Sequence, residues 1–403
     1  MKPVLGWTML SEWEVKQIER SLANSEQDTR DEIGFLLLHQ GFADRFFPGT
    51  SVLHTRIRYS LFVPWLYQRA AEGRGRGADI DAAIRRLLVE LAIRLKRLGK
   101  ERYGVIGGDK LGQLTSQPPD RVYWTAMREW GLLLPEIDSR SEVLRRLRSK
   151  VVRVCLDDDG GRLDDRTPDV FAGLPTAPKG WDDPSSPLNF KMPRAERDYL
   201  RQKISLITRP GEQELSLLAR LAAARDSFFS KSTNLPEQLD WRGDKSDRMA
   251  LGVARGAAAL AAIGRAVYGA LIEELMARDG VPGDGAFHTL LESHFAGFAE
   301  DAGRCDLDYA EQLLPDLPVY VKAVLRETKA YIGKGKPDKF SRLLACYRTS
   351  EVCRKGSGRA RLLDTERSAQ RRREWEPGRH NTTPLHYRWP IVREMLADLS
   401  EES

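Results

Sequence analysis

Two arginines two positions apart, Arg56 and Arg58, follow the hydroxyl-bearing Thr50, Ser51 and Thr55 and precede the aromatic run Tyr59, Phe62, Trp65 and Tyr67. Guanidinium groups beside hydroxyl donors and a Pro-Gly turn can clamp a phosphate bidentately. If residues 55–67 are extended, the two arginines share a face; if helical, they diverge. The competing reading has them cap helix ends and pair with Asp31, Glu32 or Asp44 in a buried polar network. His39 and His54 bracket the turn, the one local arrangement where a histidine meets candidate nucleophiles and arginines. A phosphoester-directed hydrolase or nuclease centred there is therefore the alternative activity.

A second cluster lies near the end of the chain. From residue 334 to 393 there are 16 Lys/Arg against 6 Asp/Glu, residues 394–403 carry four acids, and residues 1–333 balance at zero. The net charge of +6 thus resides in one segment. There Arg354, Lys355, Arg359, Arg361, Arg367, Arg371, Arg372, Arg373 and Arg379 are interleaved with Trp375, His380, Tyr387 and Trp389. Arginines neutralise phosphates and release counterions, and aromatics stack on unpaired bases. Arg371, Arg372, Arg373 and Trp375 are accordingly the candidates for contact with DNA or RNA. The alternative is a solvated helix face with Trp389 in the core.

Other patterns exclude more than they suggest. GVIGGDKLG at 104–112 lacks the Lys-Ser/Thr of a phosphate loop. Residues 109–114, 115–119 and 120–130 instead fit a degenerate helix-turn-helix, with Arg121, Tyr123, Trp124 and Arg128 toward a groove; an ordinary helical hairpin with Trp124 and Trp130 in the core fits equally. DDDGGRLDD at 157–165 departs from the calcium-loop pattern at its fifth and sixth positions, so it reads as a solvated turn. Cys346 and Cys353 have no second ligand pair at zinc spacing. No metal and no cofactor is expected.

Helical periodicity dominates the elements that must position these groups. In residues 79–98, Ile80, Ile84, Leu87, Leu88, Leu91, Leu95 and Leu98 form an apolar stripe, with Arg85, Arg86, Arg94 and Arg97 mostly off it. Similar stripes run through 142–154, 194–207, 212–229, 248–278, 287–300 and 317–332, and one through Trp7, Leu10, Trp13, Val15, Ile18 and Leu22. Residues 252–270, rich in Ala and Gly, predict a central helix approached closely by its neighbours. The only modest strand candidates are 151–156 and 131–134. The expected division is an N-terminal helical unit over 1–156, a linker over 157–187, a helical body over 188–333 and a basic C-terminal region over 334–403. Residues 356–380 are expected to be mobile when unbound.

Charge interrupts every apolar stretch, four scattered cysteines suit no disulfide framework, and the first residues lack a signal peptide's pattern. A cytoplasmic protein, with no membrane partner, is the expectation.

DEIG (31–34), FADRFFPGTS (42–51) and TRIRYSLFVPWLY (55–67) resemble a bacterial family of unknown function and about this length, whose members read DELG, FAD-x-x-FPGTS and TRARYFLFVPWIY. The resemblance continues in GVIGG (104–108), VYWTAMREWGLLL (122–134), LPTAPKGW (174–181), LNFKMPRAERDYLRQKI (188–204) and, more weakly, HYRWPIVREMLADL (386–399). It implies no activity, and loosely implies mobile or defence-related gene neighbourhoods. The leading expectation is a mainly α, multi-helical, non-enzymatic nucleic-acid-binding or accessory protein. The phosphoester-directed enzyme and a protein–protein scaffold, whose basic region binds an acidic partner, are the alternatives.

Overall fold

The computed structural model describes residues 31–72, 79–97, 103–150, 170–224, 244–281, 283–333, 340–376 and 380–400. Its helices are α1 (Phe35–Phe46), α2 (Tyr59–Glu72), α3 (Ile80–Lys96), α4 (Pro119–Val122), α5 (Trp124–Glu129), α6 (Arg140–Lys150), α7 (Arg194–Ile204), α8 (Leu217–Ala223), α9 (Lys245–Arg278), α10 (Ala286–Arg304), α11 (Leu307–Leu313), α12 (Val319–Gly333), α13 (Phe340–Lys355), α14 (Glu366–Arg373) and α15 (Trp389–Ser400). Among the described residues there is no strand, only the isolated bridges Leu133–Phe171 and Thr208–Leu215. The protein is mainly α and multi-helical, as its periodicity predicts. The stripe within residues 1–30, the acidic run at 157–165, the strand candidate at 151–156 and Arg379 lie outside the described residues.

The chain folds into two compact units, neither continuous in sequence. One comprises residues 1–41 and 249–385; the other comprises 42–248 and 386–403.

The second of these is organised on α2. Tyr59, Leu61, Phe62, Val63, Trp65, Leu66 and Tyr67 are all buried, so the helix is apolar around its circumference and must be enclosed. Helices α3 and α6 pack against it. The side chain of Asp79 caps α3 by accepting the Asp81 amide at 2.9 Å. The stripe of α3 is buried as predicted. Arg94, assigned by periodicity away from the stripe, is only 1 % exposed, because the residue 180–186 loop closes over it.

Of the two readings of residues 109–130, the helix-turn-helix does not form. Residues 109–114 are turns, with glycines 104, 107 and 112 all at positive φ, where a helix cannot propagate. Its second helix breaks at Tyr123 (φ −93°, ψ 4°) into α4 and α5, and the Tyr123 ring lies in the core.

The other unit is organised on α9. Cβ atoms built at Gly256, Gly264 and Gly269 would lie 2.6, 2.5 and 2.1 Å from Cys305, Phe35 and Phe287, so these glycines permit the close approach predicted from composition. By length and composition α9 could cross a membrane, but 83 % of its most apolar 18-residue window is buried inside the protein. α13 packs along α12, and within the segment 356–380 α14 is capped by Thr365, whose hydroxyl accepts the Ser368 amide at 3.2 Å.

Candidate functional site

The turn before α2 is built from its own backbone. Gly49 adopts φ +78°, and a Cβ there would come within 2.6 Å of Trp130 Nε1, which itself donates to the Pro48 carbonyl at 3.0 Å. Thr50 Oγ1 donates to the Phe47 carbonyl at 2.7 Å, and the Thr50 carbonyl accepts from Arg388 at 2.7 Å. Ser51 Oγ accepts the Leu53 amide at 3.2 Å.

Arg56 and Arg58 precede the first turn of α2 and take different partners. Arg56 pairs with Asp398 of α15 through Nε (2.9 Å) and Nη2 (2.6 Å), and its guanidinium lies 4.9 Å from the Phe190 ring centroid. The second oxygen of Asp398 also accepts the Ile57 amide at 3.1 Å. Arg58 is buried and makes a bidentate pair with Glu196 of α7 at 2.7 and 2.6 Å. Its remaining Nη1 donates to the Asn189 carbonyl at 2.8 Å. The buried polar network weighed in the sequence therefore exists, but its acids are Glu196 and Asp398. Both lie more than a hundred residues downstream, where local spacing carries no sign of them.

His54 is 3 % exposed, stacks on Tyr123 at 4.2 Å and donates from Nε2 to the Val122 carbonyl at 3.0 Å. Burial pushes its imidazole down to about 4. The folded value lies below the unfolded one near 6.5, so the unfolded chain binds the proton first as pH falls. Stability is then undiminished above pH 6.5 and lost progressively toward pH 4, by up to roughly 3 kcal/mol. Thermal melts at pH 7.5 and 4.5 should show this loss, and His54→Gln should flatten it. An equally steep acid dependence in the variant would rule out His54 as the cause.

The C-terminal candidates also serve the fold. Arg372 pairs with Asp279 at 2.6 Å and donates to the carbonyls of Arg361 and Leu363. Arg371 pairs with Glu374 at 3.1 Å, Arg373 is exposed, and Trp375 packs on Phe287 at 5.1 Å. These four belong to the unit of α9, whereas Thr50, Ser51, Arg56 and Arg58 belong to that of α2.

What the fold brings together instead is a basic cleft of about 1040 Å³ within the unit of α2. Arg58 and Asn189 form part of its lining; Lys179, Lys191, Arg194, Arg197 and Arg201 bring cationic side chains to it, with Asp198 the one carboxylate. Three of the arginines come from α7 at spacings of three and four residues, on a face that flanks the buried one of Glu196, Leu200 and Ile204. The Arg58–Glu196 pair thereby fixes which face of α7 meets the cleft. Arg197 donates to the Met192 carbonyl at 3.0 Å, and Arg201 to the Leu399 carbonyl at the end of α15 at 2.6 Å.

Lys179 reaches the cleft from the loop read as a linker. Arg94 straps that loop by donating to the carbonyls of Gly180 (2.6 Å), Trp181 (2.7 Å) and Ser186 (2.9 Å). Trp181 stacks on Phe62 at 5.8 Å, and the hydroxyls of Ser185 and Ser186 hold the Asp183 carboxyl down at about 2. Lys179 and Lys191 are exposed and have no ion-pair partner among the described residues, and Arg194 is 84 % exposed in a 3.4 Å contact with Asp198. A pair so exposed holds its cation only weakly. Sequence reasoning passed over these cations because net charge across 1–333 is zero. The signal that marks those on α7 is the three-and-four spacing of Arg194, Arg197 and Arg201 beside the buried face of the helix; Lys179 and Lys191 carry no such signal.

The cleft lining contains no histidine or cysteine, and among the described residues no group of His, Cys, Asp and Glu is placed to hold a metal. Its lining carries more cationic than anionic side chains. In comparison with known proteins, a model described as "Family of unknown function (DUF6361)" matches residues 7–228. No curated protein and no solved structure matches the chain.

Proposed function

Because the chain belongs to this family of unknown function, we propose from the cleft itself that the protein binds nucleic acid through the phosphate backbone, as a non-enzymatic or accessory component. The carrying observation is the convergence of Lys179, Lys191, Arg194, Arg197 and Arg201 on one concave surface with a single carboxylate. Concentrated positive charge of this kind attracts polyanions and releases their condensed counterions. The basic C-terminal segment supports the reading less, because Arg361 and Arg372 are already engaged with acids of their own unit. The turn at Thr50–Arg58 favours no hydrolase, since His54 is buried and both arginines are paired inside the fold.

The test is fluorescence anisotropy with labelled nucleic acid, comparing wild type with the double variant Lys191→Glu/Arg194→Glu. Both side chains are exposed, so the melting temperature should be retained. Affinity should fall at least about tenfold, and wild-type affinity should drop steeply between about 50 and 200 mM salt. Equal affinity of the two proteins would refute the cleft as the site.

A further inference from the structure

We infer that the cleft takes double-stranded nucleic acid and reads it by phosphates alone, without regard to base sequence. This rests on the cleft being the nucleic-acid site proposed above.

The neutral polar side chains of the lining are few, Asn189 and Ser400, and each is partly engaged in the fold. Asn189 Oδ1 accepts the Lys191 amide at 3.0 Å and lies 3.3 Å from Arg58 Nη1. Ser400 Oγ donates to the Ala397 carbonyl at 3.0 Å. Groups of this kind read base edges by hydrogen bonding. The guanidinium groups of Arg197 and Arg201 are committed to carbonyls of Met192 and Leu399, and that of Arg201 also to Asp198 at 3.3 Å, so neither presents an open fork. Cations whose hydrogen bonds are committed to the protein position a nucleic acid by charge and carry no sequence information.

The aromatic rings nearest the cleft face inward. Phe190, between the lining residues Asn189 and Lys191, is 1 % exposed and packs on Tyr59 at 5.3 Å. Trp181, two residues after Lys179, is buried on Phe62 and Trp65. Proteins that hold single strands supply rings on which unpaired bases stack. Here that surface belongs to the core. A duplex needs no such platform, because its bases stack on one another and it presents phosphates outward.

The arrangement of charge fits the same ligand. The cations come from three places: the loop bearing Lys179, the loop bearing Lys191, and α7. Arg194 and Arg201 are seven residues apart on α7, about 10 Å of helix rise. That length matches about three base-pair steps along one strand.

The experiment uses the full chain with two short DNA duplexes of unrelated sequence and their separated strands, over a salt series. The two duplexes should bind within about twofold of each other, and single strands at least about tenfold more weakly. With three to four phosphates neutralised, log affinity should fall against log salt with a slope of about −3. A single strand bound as tightly as the duplex, or a preference above about tenfold between the duplexes, overturns the inference. If Lys191→Glu still abolishes binding in that case, the cleft remains the nucleic-acid site. If no probe binds, or if Lys191→Glu/Arg194→Glu binds like wild type, both readings fall together.

Discussion

Arg58→Ala should destabilise the unit of α2 by about 3–5 kcal/mol, the range for breaking a buried ion pair by removing one partner. The substitution leaves the Glu196 carboxylate buried with its two guanidinium donors gone, and it also removes the donor to the Asn189 carbonyl. At roughly 2–4 °C per kcal/mol for a unit of this size, the melting temperature should fall by about 10 °C. Arg58→Lys keeps the charge but cannot form the two-pronged contact, so an intermediate loss is expected. Arg194→Ala, on the exposed face of the same helix, should stay within about 0.5 kcal/mol of wild type. Thermal melts of the three variants, with binding measured well below their transitions, decide the matter. If Arg58→Ala melts like wild type yet binds no nucleic acid, Arg58 is a phosphate ligand and not a structural tie.

That contrast shows what a single sequence reveals. Helix type was legible where an apolar stripe such as Ile80, Ile84, Leu87, Leu88, Leu91 and Leu95 reports a one-sided environment directly, and was left open at residues 55–67, where α2 is apolar on every side. The close-packed role of α9 was legible too, since small residues at Gly256, Gly264 and Gly269 have few other uses in a helix interior. The partners of arginine were not legible. Arg56, Arg58, Arg94 and Arg372 look alike in sequence with Arg194 and Lys191, yet the first four are held within the fold and the last two face solvent. What separates them is the position of an acid or a carbonyl brought up by tertiary structure: Asp398 for Arg56, Glu196 for Arg58, loop carbonyls for Arg94 and Asp279 for Arg372. Counting charge along the chain therefore says nothing of which cations are already paired, and it does not point to the cleft, whose cations lie in a stretch that is neutral overall.

The unit of α9 contains a similar tie, and it carries the second large effect. Glu351 is fully buried and accepts from the Arg361 and Leu362 amides at 2.9 and 2.8 Å, from the Tyr268 hydroxyl at 2.6 Å, and from Lys355 Nζ at 2.7 Å. Lys355 also pairs with Glu32, which takes Arg361 Nη1 at 2.8 Å. Two carboxylates thus balance two cations, and burial raises the Tyr268 phenol well above its usual range, which keeps it a neutral donor. Glu351→Gln leaves a surplus positive charge in the core, and Lys355→Met a surplus negative one. Each single substitution should cost about 3–5 kcal/mol. The double variant restores the balance, with Glu32 and Arg361 still paired, so it should be more stable than the sum of the singles by about 1–3 kcal/mol. Denaturant melts of the four proteins close this cycle, and hydrogen exchange at the Arg361 and Leu362 amides should accelerate in Glu351→Gln. Strictly additive losses would mean that the four charges do not act as one buried network, and that the basic segment around Arg361 is held by packing rather than by these ion pairs.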